Sequence, residues 1–494
     1  MNYSLIIDLT FSCCFFYYKD MKRFLILFTL FFCTVLHAQS FDGLSDDIAN
    51  GDYGNLKAVL VSRQGEIIYE DYFRGNDVND LHLLNSVTKS IGSALVGIAH
   101  RQGKIKVDDG LGKFFNTLYP MNTGSFINKQ SITVENVLQQ RHGIRWDEWT
   151  LDYRAASNPV SQMINSGDWY RYVLTTPIDA QPGDKFTYST GVSTLMSRMI
   201  RATTGMSPRS FAMANLFGPL GISAIHWEGW SANGRGSGLT NWPNPDKDEP
   251  LGFGIWMKPR DMLKFGELYL NDGVYEGRRI LDKDWIDASW RTYSNSENTE
   301  LFTLPGSGYG YQWWITSLTD TRGRNFSAYY ADGWGHQYIL VIPELDLVVV
   351  SVADDYDYTG PGIGAILRDV VLPALNPVLD KRFNGLWYDP QTSGQGFSLE
   401  ILNDGNRLVG SWFTYGDNGT KRWFIFNGNV SDTASEVVIL QTSGGRFLQP
   451  DPVTESEWGS GRFTTLDCAH INFEFTSAEV SATIELTRLT GACH

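Results

Sequence analysis

The sequence predicts a mixed domain of helices and strands over residues 41–377, followed by an all-β barrel or sandwich over residues 382–494. Three observations predict it. Up to about residue 377, stretches with apolar residues three and four apart alternate with strand-like runs. Beyond that point the apolar runs are short, alternating and separated by Gly, Asn and Asp. The chain of 494 residues also exceeds one ordinary domain of roughly 100–200 residues. With 42% hydrophobic and 19% charged residues, it has the content of a globular chain and not of a disordered one.

Before these domains, residues 24–36 (FLILFTLFFCTVL) form an uncharged apolar run behind Met21, Lys22 and Arg23. A basic start, an apolar centre and small residues at Ala38 and Ser40 make residues 21–39 a signal peptide by pattern. The run is too short for a membrane span of about 20 residues. Residues 1–20 precede the basic pair, so Met21 reads as the start and residues 1–20 as an upstream extension. The expectation is a periplasmic or secreted protein with no membrane span after processing. Of five cysteines, only Cys468 and Cys493 then remain, and in an exported chain two cysteines read as one disulfide. Two buried free thiols are the alternative.

Within the first domain, KAVLVSRQGEIIYEDYF (57–73) predicts two strands joined at Gln64-Gly65. SVTKSIGSALVGIAHRQG (86–103) has a helical apolar period ended by Gly103. Shorter helical patterns follow at 133–141, 191–202 and 260–271. YGYQWWI (309–315), HQYILVIP (336–343) and LDLVVVSVA (345–353) return to strand, and 363–372 closes with an amphipathic stretch. Strands at both ends with helices between them predict that the terminal segments share one sheet.

Chemistry concentrates in three segments. Ser86-Val87-Thr88-Lys89 opens the long apolar helix, and it is the one Ser-x-x-Lys in the chain. Three residues are about one helical turn, which brings hydroxyl and amine to one face. A serine hydroxyl needs a neighbour to take its proton, and a partly buried lysine can do so. The helix N-terminus adds free backbone N–H groups where an oxyanion forms. Second, Pro182-Gly183-Asp184-Lys185-Phe186-Thr187-Tyr188-Ser189 places Tyr188 on a loop just before a helix. Third, Gly333-Trp334-Gly335-His336-Gln337 leads into a strand, where glycines allow close approach of a substrate backbone. Each segment taken singly also fits a structural role: a packed tyrosine, or a histidine that only bonds the strand.

In this order the three segments resemble the serine hydrolases related to class C β-lactamases and penicillin-binding proteins. The resemblance spans residues 45–375 and includes ITVENVLQQRHGIRWDE (132–148). It implies an α+β fold: an antiparallel sheet with helices, plus a helical subdomain. It also implies Ser86 as acylated nucleophile, Lys89 as proton acceptor and Tyr188 as acid/base. The backbone N–H groups of Ser86 and Gln337 would form the oxyanion hole. Two departures bear on substrate. The Asn of the family's Tyr-x-Asn is Thr190 here, and Trp334 replaces the cation that opens the third motif, with His336 two residues on. Both argue against β-lactam or D-Ala-D-Ala recognition, which depends on such polar partners. The YSTG and GWGxQ forms look more like the branch of esterases and 6-aminohexanoate-dimer hydrolases. Trp146, Trp314, Trp334 and His336 are the expected pocket residues, around a small ester or linear amide. A β-lactamase or D-Ala-D-Ala carboxypeptidase is the alternative, and an inactive cell-wall-binding or sensor protein is the reading of another class.

The tail starts with Gly385-Leu386-Trp387-Tyr388-Asp389-Pro390 and Ser393-Gly394-Gln395-Gly396-Phe397, which resembles the opening of a small β-module appended to many secreted bacterial proteins. Trp387, Trp412 and Trp423 are expected inside it; the other reading is an aromatic face for glycan or cell-wall polymer. A net charge of −15 without a basic tract argues against nucleic acid as a partner. Gly-x-Ser-x-Gly, His-Glu-x-x-His, Cys-x-x-Cys and phosphate-loop patterns are all missing, so neither a metal nor a cofactor is expected.

Overall fold

The computed structural model describes residues 41, 43–228, 242–294, 308–319, 325–372, 375, 379, 381–392, 394–402, 407–416, 418–431, 434–446, 448–466 and 470–490. The leader at 21–39, the extension before it, and Cys468 and Cys493 lie outside the described residues.

A short helix α1 (Leu44–Asn50) precedes a hairpin of β1 (Leu56–Arg63) and β2 (Glu66–Tyr72). The hairpin turns at Gln64-Gly65, whose φ values of 53° and 79° are those of a tight two-residue loop. The long helix α2 (Val87–Arg101) follows, and a set of shorter helices includes α3 (Thr190–Thr194) and α4 (Met196–Thr204). After α5 (Pro259–Leu270) come β3 (Gly308–Tyr309), β4 (Trp314–Thr319), β5 (Asn325–Gly333), β6 (Gln337–Ile342) and β7 (Leu347–Ala353), then α6 (Gly362–Ile366).

These strands make one antiparallel sheet in the order β2-β1-β7-β6-β5-β4-β3. The N-terminal hairpin thus joins the last strand, with Val59 opposite Ser351 and Val61 opposite Val349. Both faces of the central strands β1, β7 and β6 are buried, which is why those strands read as near-continuous apolar runs. Ala58, Leu60, Ile339, Val341, Val348 and Val350 pack in one core with α2 and α5. Val59, Val61, Leu340, Ile342 and Val349 pack in a second core with Leu44, Ile48, Ile363 and Ile366. A Cβ at Gly266 of α5 would lie 2.5 Å from Val348 Cγ1, so glycine sets how closely that helix approaches the sheet.

Helix α2 is buried on every side from Val87 to Ala99. Its small residues permit this: a Cβ at Gly92 would come 2.9 Å from Met196 Cε, and one at Gly97 2.6 Å from the Trp285 indole. A helix enclosed all round holds its first turn rigidly, and Ser86 and Lys89 stand on that turn.

The C-terminal part is a closed antiparallel barrel of eight strands in chain order: β8 (Gly385–Tyr388), β9 (Gly396–Ile401), β10 (Arg407–Tyr415), β11 (Lys421–Ser431), β12 (Ala434–Ser443), β13 (Thr454–Thr465), β14 (His470–Ser477) and β15 (Ser481–Arg488). Closure brings Trp387 of β8 opposite Arg488 of β15. Full closure removes the edge strands that an open sheet would expose. Phe397, Phe424, Phe426, Phe463 and Phe473 fill the interior with Trp387 and Trp412. Trp423 departs from expectation: it is 50% exposed on the outside. Side chains alternate along a strand, so the inward Phe424 and Phe426 force their neighbour Trp423 outward.

Candidate active site

Ser86 is the residue on which α2 starts, and its side chain makes no capping bond to the helix backbone. The chain enters the helix through Asn85, held at a φ of 45°, a left-handed conformation uncommon outside glycine. Asn85 Nδ2 donates to Trp334 O at 2.6 Å, which ties the start of α2 to the turn between β5 and β6. That turn also lies against it directly: a Cβ at Gly333 would come 2.2 Å from Leu84 O. Gly335 and His336 have φ values of 92° and 67°. Gln337 closes the turn, its amide donating to Gly335 O at 2.9 Å and to Ala353 O at 2.6 Å.

Lys89 is buried, and its ammonium donates to Ser86 Oγ at 2.7 Å, Thr190 Oγ1 at 2.9 Å and Gly252 O at 2.9 Å. Burial pushes its pKa down to about 8, while the Glu148 and Asp332 carboxylates work the other way. A neutral amine is therefore accessible at mildly alkaline pH, where it can accept the serine proton. Tyr188 is buried beside it, with the Lys89 nitrogen 4.9 Å from the ring centroid. Burial holds the Tyr188 phenol well above its ordinary range, and a hydrogen bond to Ser86 acts in the opposite direction. The phenol is protonated at rest and able to pass a proton.

The segment preceding the helices braces this set. Gln140 accepts from Thr187 N at 2.8 Å through its backbone and from Ser189 N at 2.7 Å through its side chain. Ser189 in turn caps α3 by accepting from Val192 N. Glu148 was not singled out by sequence, yet it is buried and accepts four hydrogen bonds. They come from Thr190 N, Thr190 Oγ1, Trp146 Nε1 and Tyr153 OH, at 2.8, 2.8, 2.5 and 2.9 Å. Thr190 thus stands between Lys89 and Glu148, its hydroxyl accepting from the ammonium and donating to the carboxylate.

Ser86 and Tyr188 open into a cavity of about 320 Å³. Its walls are aromatic (Trp149, Tyr153, Trp314, Trp334, Tyr356 and Tyr358) and its charged lining is Glu148, Asp152, Arg154, Asp332 and Asp357. Of the four expected pocket residues, Trp314 and Trp334 line this cavity. Trp146 and His336 do not. Trp146 is occupied as scaffold: its indole bonds Glu148, and a Cβ at Gly191 would lie 2.6 Å from its ring. His336 is buried behind the turn, 3.6 Å from Asp355 Oδ2 and with its ring 4.9 Å from that of Tyr358. Burial lowers its pKa, so the imidazole is neutral. The second residue that sequence reasoning missed is Asp332, on a strand that the apolar pattern did not mark. The alternating run NFSAYYADG (325–333) was the available signal.

Ser-x-x-Lys on a buried helix, a tyrosine against both groups and a glycine turn abutting the serine form one constellation. The sequence profile of the beta-lactamase family matches residues 55–365. The chain belongs to the beta-lactamase family. It is a serine hydrolase of that family, and the match covers the α+β domain and leaves out the barrel. Among relatives, it is similar to the 6-aminohexanoate-dimer hydrolase of Paenarthrobacter ureafaciens, 25% identical over 310 residues, 60% of this chain and 72% of that protein. It is also similar to an uncharacterized protein of Alkalihalophilus pseudofirmus, 21% identical over 319 residues, 60% of this chain and 84% of that one. Among solved structures, EstCE1, a hydrolase with promiscuous acyltransferase activity, superposes with a TM-score of 0.51 at 15% identity, over 66% of this chain and 94% of that one. At that identity the likeness concerns the fold.

Proposed function

We propose that this family member hydrolyses esters or small linear amides through an acyl-enzyme on Ser86. The observation that carries the reading is the 2.7 Å contact of Lys89 Nζ with Ser86 Oγ, at an amine whose pKa lies near 8. With Lys89 neutral, Ser86 Oγ attacks the substrate carbonyl and its proton passes to the amine. The backbone N–H groups of Ser86 and Gln337 receive the oxyanion. The bond to the alcohol or amine breaks, and the leaving group departs with a proton delivered through Tyr188. Water then adds to the acyl carbon, releasing the acid and restoring the Ser86 hydroxyl.

Thr190 and Trp334 support esters and linear amides over β-lactams. The Thr190 hydroxyl is engaged by Lys89 and Glu148, and Trp334 presents an indole where a carboxylate-binding cation would stand. The relative's 6-aminohexanoate dimer is one linear amide to include. A panel of short p-nitrophenyl esters, that dimer, nitrocefin and D-Ala-D-Ala peptides should show turnover of esters or linear amides first, abolished in a folded Ser86→Ala variant. Turnover undiminished by that substitution ends the proposal, and nitrocefin as best substrate restores the β-lactamase reading.

We also infer export, from the basic and apolar pattern of residues 21–39, and glycan contact by the barrel. The observation favouring the latter is an exposed cross-strand set: Phe413, Trp423 and Tyr415 are 52%, 50% and 46% exposed, with Phe413 paired opposite Trp423. Aromatic faces of this kind on an otherwise polar surface mark interaction sites. Phe413→Ala with Trp423→Ala in the full chain should weaken retention on insoluble cell-wall polymer. Equal retention by both proteins removes that role.

A further inference from the structure

We propose that the cavity beside Ser86 selects substrates bearing a cationic ammonium group. This deepens the acyl-transfer reading and rests on it. The charged lining is the first argument. Four carboxylates (Glu148, Asp152, Asp332 and Asp357) face Arg154, with Lys89 behind the serine. Arg154 has its charge committed, since its guanidinium pairs at 2.7 Å with both Asp152 and Asp357. Lys89 is similarly answered by Glu148 through the shared Thr190 hydroxyl. Four carboxylates against two cations leave an acidic surplus in the cavity, and Asp332 is the one that none of these contacts pairs.

The state of Asp332 is the second argument. It is 7% exposed, lines the cavity, and its Oδ2 has no hydrogen-bond partner among the described residues. A buried oxygen without a partner is uncommon in folded proteins and costs free energy until something pairs with it. Burial also pushes its pKa up to about 8, against a hydrogen bond from Tyr338 and the charge of Lys89. A cation arriving in the cavity would favour its ionised form.

The walls supply the third argument. Ring faces attract cations, and quaternary ammonium groups are held by clusters of them. Trp334 lies 5.2 Å from the Tyr153 ring and 4.7 Å from that of Tyr356, and the Arg154 guanidinium already lies 5.9 Å from the Trp334 ring. Tyr358 completes this side and is 40% exposed. An anionic substrate would meet carboxylates and ring faces here, both of which repel it.

Acetylcholine and 3,3-dimethylbutyl acetate test the proposal, because they differ in charge and hardly in shape. Both transfer the same acetyl group to Ser86 Oγ, the alcohol leaves with the proton, and water releases acetate. The ratio of their kcat/KM values therefore isolates recognition of the cation. We expect acetylcholine to be favoured about tenfold, the order of one desolvated cation–π contact. The preference should shrink several-fold in Asp332→Asn and in Tyr358→Leu, each read as a ratio so that a general loss of activity cancels. A ratio at or below one in the wild type overturns the proposal, as does a ratio unchanged in both variants. Calorimetric binding of choline against 3,3-dimethylbutanol keeps this distinct from failure of the acyl-transfer reading. If Ser86→Ala leaves ester turnover intact but choline still binds about tenfold tighter, the acyl reading fails and cation recognition stands. Equal binding of the two alcohols overturns cation recognition whatever the turnover.

Discussion

Ser86 and Lys89 form a pair whose chemistry depends on a single proton. Lys89 has its pKa lowered by burial, so the ammonium form prevails below about pH 8 and the neutral amine above it. A base that must be neutral gives a rate that rises with pH. We therefore expect kcat/KM on a neutral ester to increase through about pH 8, measured between roughly pH 6 and 10. Asp332 favours the charged lysine, so Asp332→Asn should move that rise to lower pH. A profile that falls over this range contradicts the assignment. At this scale, sequence spacing reached Ser86, Lys89 and Tyr188 because one helical turn and one loop place them. It missed Glu148 and Asp332, since burial of a carboxylate is decided by distant segments. Glu148 is buried by contacts with Thr190 and Tyr153, and Asp332 sits on a strand end beneath tyrosines. Proximity to the motifs points Trp146 and His336 at the pocket, but each is turned into the scaffold by partners that spacing does not reveal.

Elements place these residues through close backbone approach. The turn between β5 and β6 lies against Leu84 because Gly333 has no side chain, and Asn85 bonds the same turn. Gly333→Ala would force a Cβ to within 2.2 Å of a backbone oxygen, which cannot yield without moving the turn. We expect kcat/KM to fall by at least about tenfold in this variant, because displacing oxyanion donors by an ångström costs that much or more. Circular dichroism should remain native-like, and an unchanged kcat/KM would show that the turn does not serve the serine. Helices and strands with strong periods were legible: α2, α5, β1, β2, β6 and β7 fall where apolar spacing puts them. β5 was not marked, because its small and polar residues dilute the alternation that a half-buried strand displays.

Across the whole molecule, the change in apolar period near residue 377 separated an α+β hydrolase domain from a closed eight-stranded barrel. Sharing of one sheet by the two ends of the first domain was legible because strand-like apolar runs stand at both ends, β1 at one and β6 and β7 at the other. The barrel's eight-strand closure was not, since short alternating runs serve a sandwich equally well. Trp423 shows the same limit: composition counts an indole, and only register decides its side. The central claim concerns one oxygen atom, and trapping the covalent intermediate tests it most directly. The intact protein is mixed with p-nitrophenyl acetate, quenched in acid, digested, and its peptides weighed. The account predicts one acetyl group on the peptide carrying Ser86, lost in Ser86→Ala. Steady turnover with that peptide unmodified and the acetyl group on another residue would contradict it.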